Sequence, residues 1–120
     1  MEQALEPVFE KFLEDVPNLV GMVVSSNDSV RFGQVWKDKE ENPIVTTIGP
    51  IVIDEISKLH FGPIKSISAE YENATIVHIS IAPLVFTFVG TQSMNTDLLT
   101  TEDMYKKLEL GFKSLQNACR

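Results

Sequence analysis

Residues 84–89 read Leu84-Val85-Phe86-Thr87-Phe88-Val89 and present no polar face. Successive side chains of an extended chain point to opposite sides. A run of this kind needs apolar cover on both sides, as a central strand has. It therefore requires a layered fold in which a sheet carries helices on both faces, and the rest of the chain has to supply them.

Residues 3–14 supply one helix. Leu5, Val8, Phe9, Phe12 and Leu13 fall at i, i+3, i+4, i+7 and i+8, and Val16 continues the stripe. Glu6, Glu10 and Glu14 line the other side. Pro7 is compatible only with the first turn, which puts the helix start between Gln3 and Glu6, and Pro17 ends it. Residues 19–25 are almost continuously apolar, which suits a strand buried on both faces. Asn27-Asp28-Ser29 supplies turn chemistry, and residues 30–36, diluted by Arg31, Gly33 and Gln34, read as an edge strand.

After a charged loop over 37–42, Pro43 opens a second helix that Gly62-Pro63 stops. Gly49-Pro50 falls inside it. Pro50 removes a backbone donor and crowds the preceding turn, and the β-branched content favours strand. The span is too long for one strand, so a helix over 43–61, kinked or restarted at Pro50, is predicted. Three strands follow at 64–71, 74–82 and 84–90, separated by a two-residue turn at Glu72-Asn73 and by Pro83. Past a polar loop over 91–99, a last helix over 100–119 starts at Thr100, with Asp103 at capping-box spacing. It buries Met104, Tyr105, Leu108, Phe112, Leu115 and Cys119. Gly111 costs this helix about 1 kcal/mol relative to alanine, a cost that close packing on the sheet would explain.

The predicted architecture is α+β: a five-stranded antiparallel sheet, the first and last helices on one face, and the 43–61 helix alone on the other. A chain of 120 residues suits a single domain over 1–120, large enough to bury roughly two-thirds of its unfolded surface.

Composition removes several function classes. Seventeen acidic against ten basic side chains give a net charge of -7, which argues against nucleic-acid binding and against adhesion to anionic lipid. No apolar run approaches the ~20 residues of a membrane helix. Met1-Glu2-Gln3-Ala4 lacks the basic region of a signal peptide. Glu2 excludes myristoylation, and Asn117-Ala118-Cys119-Arg120 is not a prenylation box. If the protein works at a membrane, something else is expected to carry it there. The single cysteine, Cys119, leaves no intrachain disulfide, CxxC pair or Cys-rich zinc site, and points to a cytosolic or nuclear setting.

Catalysis needs a nucleophile, a base and a pocket. His60 and His78 belong to neither HExxH nor an i, i+4 pair. His78, in mid-strand, reads as a hydrogen-bonded structural or surface residue with no partner evident in the sequence, and His60 as a favourable cation at a helix C-terminus. The adjacent acids Asp54-Glu55 do not face each other on a helix, and Glu40-Glu41 belongs to the solvated loop. No phosphate-cradling glycine loop occurs. Neither an enzyme nor a metal or cofactor site is expected.

What the chain has in excess is apolar surface. Ile44, Val45, Ile48, Ile51, Val52, Ile53, Ile56 and Leu59 occupy more than one face of the second helix. Such a helix must be buried on more than one side, yet it has a sheet below and nothing above, so a partner is expected to cover it. The strand over 64–71 would flank this helix, and as an edge it offers free backbone groups that can extend the sheet across an interface. The plainer alternative is a half-buried helix with scattered exposed aliphatics.

Four segments carry a resemblance: Val16-Pro17-Asn18-Leu19 leading into Gly21-Met22-Val23-Val24-Ser25, then Ile56-Ser57-Lys58-Leu59, then Pro83-Leu84-Val85 with Phe88, and Ser93-Met94-Asn95-Thr96-Asp97-Leu98. Over residues 5–117 the chain resembles the roadblock/LC-seven family, and within it the branch of MAP-kinase scaffold subunits of the Ragulator complex. The resemblance implies a profilin-like α/β sandwich of order αββαβββα and a non-enzymatic scaffold without cofactors. It implies dimerisation through the second helix and third strand, which places the interface on Ile48, Val52, Glu55, Ile56, Leu59, Ser66, Ile67 and Ser68. The implied partners are a paralogous roadblock subunit in a heterodimer, other Ragulator subunits including a lipidated anchor, Rag GTPases in TOR signalling, and MAP-kinase kinase with its substrate kinase. The implied location is the cytoplasmic face of late endosomes and lysosomes. A homodimeric dynein light chain or a small-GTPase regulator is the alternative role within the family. Asn27-Asp28-Ser29 departs from the family in lacking the glycine often found in that hairpin, and Gly49-Pro50 departs by interrupting the interface helix.

Overall fold

In the computed structural model, residues 84–90 form β5 (Leu84–Gly90), the middle strand of a five-stranded antiparallel sheet. The structure describes residues 2–26, 30–37 and 43–118, and the side chains of 2–6, 43–48, 116 and 118 are outside the description. The expected turn at Asn27-Asp28-Ser29, the Glu40-Glu41 pair and Cys119 lie outside the described residues. The other strands are β1 (Leu19–Ser26), β2 (Arg31–Trp36), β3 (Ser66–Glu70) and β4 (Thr75–Ile81), in the order β2-β1-β5-β4-β3. The segments read as edges, residues 30–36 and 64–71, are the two edges.

Alternation along β5 sorts its side chains between two layers. Leu84, Phe86 and Phe88 enter the main core beside Met22 and Val24 of β1 and Val77 and Ile79 of β4. This face is covered by α1 (Glu2–Asp15), through Phe9 and Phe12, and by the C-terminal helices, through Leu108, Phe112 and Leu115. Four aromatic contacts knit the layer. Phe112 lies 5.1 Å from Phe86, 5.5 Å from Phe9 and 6.3 Å from Phe12, and Phe12 lies 6.4 Å from Phe88. These centroid separations are those of favourable edge-on and offset ring pairs. Val85 and Thr87 point the other way, toward α2 (Pro43–Ser57). The two-and-one division of helices is thus as predicted.

The C-terminal expectations are corrected. The region is not one helix over 100–119 but two, α4 (Glu102–Gly111) and α5 (Lys113–Ala118), and the segment read as a polar loop over 91–99 carries a short helix of its own, α3 (Thr96–Leu99). Thr100 is not the cap. Thr101 is, its hydroxyl accepting from the Met104 N–H at 3.2 Å, while Thr100 donates to the Thr96 carbonyl. The capping box built on Asp103 is therefore absent, because the helical turn of α3, which buries Leu99, moves the start of α4 on by one residue. The chain breaks again at Phe112, which leaves helical geometry at φ -119° so that its ring turns into the aromatic layer. Gly111 owes its presence to α1 rather than to the sheet, since a Cβ there would lie 3.0 Å from Val8 Cγ1.

Helix α2 runs through Pro50 without a break and ends at Ser57, short of the predicted 61. Residues 58–60 close it with tight turns, Leu59 N–H donating to the Ile56 carbonyl and His60 N–H to that of Ser57.

Candidate partner-binding surface

The seat of α2 explains Gly49-Pro50. Both residues are buried. A Cβ on Gly49 would fall 2.6 Å from Thr87 Oγ1, 3.2 Å from Val85 Cγ1 and 3.3 Å from His78 Nδ1. Glycine lets the helix backbone approach the sheet directly, and the pair that looked like an interruption is the point of closest approach. Gly49→Val is expected to destabilise the fold by about 1–3 kcal/mol through overpacking, read as a lowered urea midpoint.

Below this contact lies a buried polar pair. His78 of β4 and Thr87 of β5 face each other across the ladder, joined by a 2.9 Å hydrogen bond between Nδ1 and Oγ1. The structural role expected of His78 is the one observed, and Thr87 is the partner sequence reasoning missed. The turn at Ala82-Pro83 held the signal, because pairing Ile81 with Leu84 brings residue 78 opposite 87. Burial lowers the His78 pKa below its ordinary 6.5, since charging the ring costs desolvation. On acidification the unfolded chain takes up this proton before the folded one. Stability held above about pH 6.5 is therefore lost as pH falls below it, at up to about 1.4 kcal/mol per pH unit, until the folded ring itself protonates. A His78→Gln variant is expected to lack this component when urea midpoints are compared over that window.

Much of the apolar surface of α2 is nonetheless uncovered. Ile51 is 54% exposed, Ile56 42% and Leu59, just past the helix, 59%, while Val52 is half-buried. At about 100° per residue, Ile51 and Glu55 turn away from Gly49 and Pro50, whereas Val52 and Ile56 lie one and two turns beyond Gly49 on its flank. Glu55 is exposed and paired at 3.2 Å with Lys58, a surface ion pair of little energetic weight. Ile48 lies within α2, but its side chain is outside the described residues. The exposed Ile51, on this helix, and the exposed Phe61, beyond its end, were missed. The periodicity included Ile51, and Phe61 was an aromatic residue in a Gly-Pro turn.

Helix α2 packs on β1, β5, β2 and β4, and beyond β4 lies β3, with its outer edge unpaired in the sheet. The register puts Ile67 opposite His78, on the α2 face, and puts Ser66 and Ser68 opposite Ile79 and Val77, on the other. Ser66 and Ser68 thus offer the backbone of the edge to a neighbour rather than a side chain beside α2. A cleft of about 330 Å³ lies between Ile53, Asp54 and Ser57 of α2, Pro63 and Ile64 of the approach to β3, and Ser80 of β4.

Among the described residues no three His, Cys, Asp or Glu side chains are grouped to hold a metal, and no helix is long and apolar enough to cross a membrane. A groove of about 470 Å³ between α1 and α4 is lined by Val8, Phe12, Leu110 and the charged Lys11, Asp15 and Lys107. It contains no histidine or hydroxyl nucleophile.

Comparison with known proteins adds three kinds of likeness. A family model described as mitogen-activated protein kinase kinase 1 interacting matches residues 3–119. The chain is 31% identical to the Ragulator complex protein LAMTOR3-B of Xenopus laevis, the alignment covering 98% of each chain. Among solved structures it matches the gliding protein mglB of Thermus thermophilus with a TM-score of 0.74 at 8% identity, over 98% of this chain and 91% of that one. It matches a roadblock/LC7 domain from Streptomyces avermitilis with a TM-score of 0.68 at 9% identity, over 99% and 97%. At such identities the structural likenesses speak for the fold alone.

Proposed function

Since the chain belongs to the mitogen-activated protein kinase kinase 1 interacting family and has the roadblock/LC7 fold, we propose that it is a non-enzymatic scaffold subunit of a Ragulator-type complex. It pairs with a paralogous roadblock subunit through α2 and β3, using Ile48, Val52, Glu55, Ile56 and Leu59 with the edge at Ser66, Ile67 and Ser68. The observation that carries this reading is the set of exposed apolar side chains on α2 and at its end, with an unpaired strand edge one strand away from it. One partner of like fold would cover the first and hydrogen-bond the second.

In the assembly a lipidated subunit holds the pair at the cytoplasmic face of late endosomes and lysosomes, where it supports Rag GTPases and brings a MAP-kinase kinase to its substrate kinase. A net charge of -7 suits a subunit held at a membrane by its neighbours rather than by lipid.

The test is purification of the tagged full chain from its own cells, followed by light scattering of the purified pair. The expected result is a one-to-one complex with a roadblock-fold paralogue, accompanied in gentle extracts by small GTPases and a lipidated subunit. A chain that stays monomeric, or that forms a homodimer refusing the paralogue, would overturn the reading.

A further inference from the structure

The turn from α2 into β3 carries the most exposed large apolar side chain among the described residues, Phe61, at 91%. Nothing in its surroundings calls for an aromatic ring there. The turn is nonetheless closely specified. His60 adopts φ 60° and Gly62 φ 101°, and Pro63 follows. A left-handed conformation at a non-glycine residue is strained, and strain of this kind is kept where a side chain must be held in place. The backbone hydrogen bonds from Leu59 and His60 lock the approach to the turn. Phe61 is thus an exposed ring on a constrained support, the kind of rigid aromatic anchor that dominates interfaces.

Its position says what it meets. Phe61 precedes β3 by five residues, and Tyr71, 57% exposed, follows its last residue. When two sheets join edge to edge in antiparallel fashion, the start of each edge strand lies beside the end of the other. The turn before β3 then faces the partner's hairpin after β3. We infer that Phe61 is the specificity-determining anchor of the pairing, inserted into an apolar pocket at the β3–β4 hairpin of the partner roadblock subunit. Tyr71 receives the partner's reciprocal turn. This inference rests on the α2–β3 pairing proposed above. It extends that interface beyond the helix and strand, to a residue outside both.

The experiment uses the purified full chain and its purified roadblock partner, titrated by calorimetry. Phe61→Ala is expected to weaken pairing about tenfold or more with an unchanged urea midpoint for the chain, and Phe61→Leu to restore most of the affinity. A photo-crosslinking phenylalanine analogue at position 61 is expected to label the partner's β3–β4 hairpin. Affinity within twofold of wild type for Phe61→Ala, or labelling elsewhere on the partner, overturns the anchor. A Val52→Asp/Ile56→Asp variant keeps the two readings apart. If it abolishes pairing while Phe61→Ala does not weaken it, the α2–β3 interface stands and the anchor alone falls. If neither weakens pairing, both fall.

Discussion

Truncating Phe112 to alanine is expected to remove about 3–5 kcal/mol of folding stability, a large share of the 5–15 kcal/mol typical of such chains. The size follows from where the ring sits. Phe112 is 1% exposed and touches three rings from two elements: Phe9 and Phe12 of α1, and Phe86 of β5. Its loss opens a cavity that no neighbour can fill by itself, since α1, the sheet and the break between α4 and α5 all meet at this one side chain. In urea, where the slope is about 1–3 kcal/mol per molar, the midpoint should fall by at least about 1 M. Phe112→Leu, which keeps most of the volume, should lose distinctly less. A Phe112→Ala midpoint indistinguishable from wild type would contradict the account of the core.

The second large effect concerns association rather than folding. Val52→Asp with Ile56→Asp is expected to weaken pairing with a roadblock partner about a thousandfold or more. Each carboxylate would be carried into an interface without a counter-charge, at a cost of at least about 2 kcal/mol apiece, and each 1.4 kcal/mol is about a factor of ten. The free chain should be little affected. Ile56 is 42% exposed and Val52 half-buried, so both new carboxylates can reach water when the partner is absent. Calorimetry measures the pairing and circular dichroism the fold. Leu110→Asp is the matched control, since Leu110 is 78% exposed on α4, across the sheet from α2. Equal losses for the control and the double variant would show a general effect of charge and remove α2 from the interface.

The order of elements, the central strand and the division of helices were legible in the sequence because each depends on a local pattern. Residues 84–89 could be nothing but a doubly covered strand, and the stripe from Leu5 to Val16 could serve only one side. The misreadings sit where tertiary packing overrode such patterns. Thr100 and Thr101 are chemically equivalent caps, and the choice between them depends on the turn that buries Leu99. The break at Phe112 is driven by three rings distant in sequence. Gly49-Pro50 looked like a defect because its reason, the Thr87 and His78 side chains beneath it, lies some thirty to forty positions further along the chain. Of the candidate surface, the stripe on α2 was visible as surplus apolar periodicity. Phe61 was not, because an aromatic residue in a turn has no period to stand out from.

Trp36, the chain's one tryptophan, lies against Gly21 on β1 and donates its indole N–H to Gln34 Oε1 at 3.0 Å. It belongs to β2, four strand spacings from β3, or about 19 Å at 4.8 Å each. Its fluorescence is therefore a built-in optical gauge of the sheet's integrity, read at the edge opposite the one that a second subunit would extend. Emission from this single indole can follow melting in the free chain and, with a tryptophan-free partner, in the assembled pair, so that one spectrum separates loss of the fold from loss of the partner.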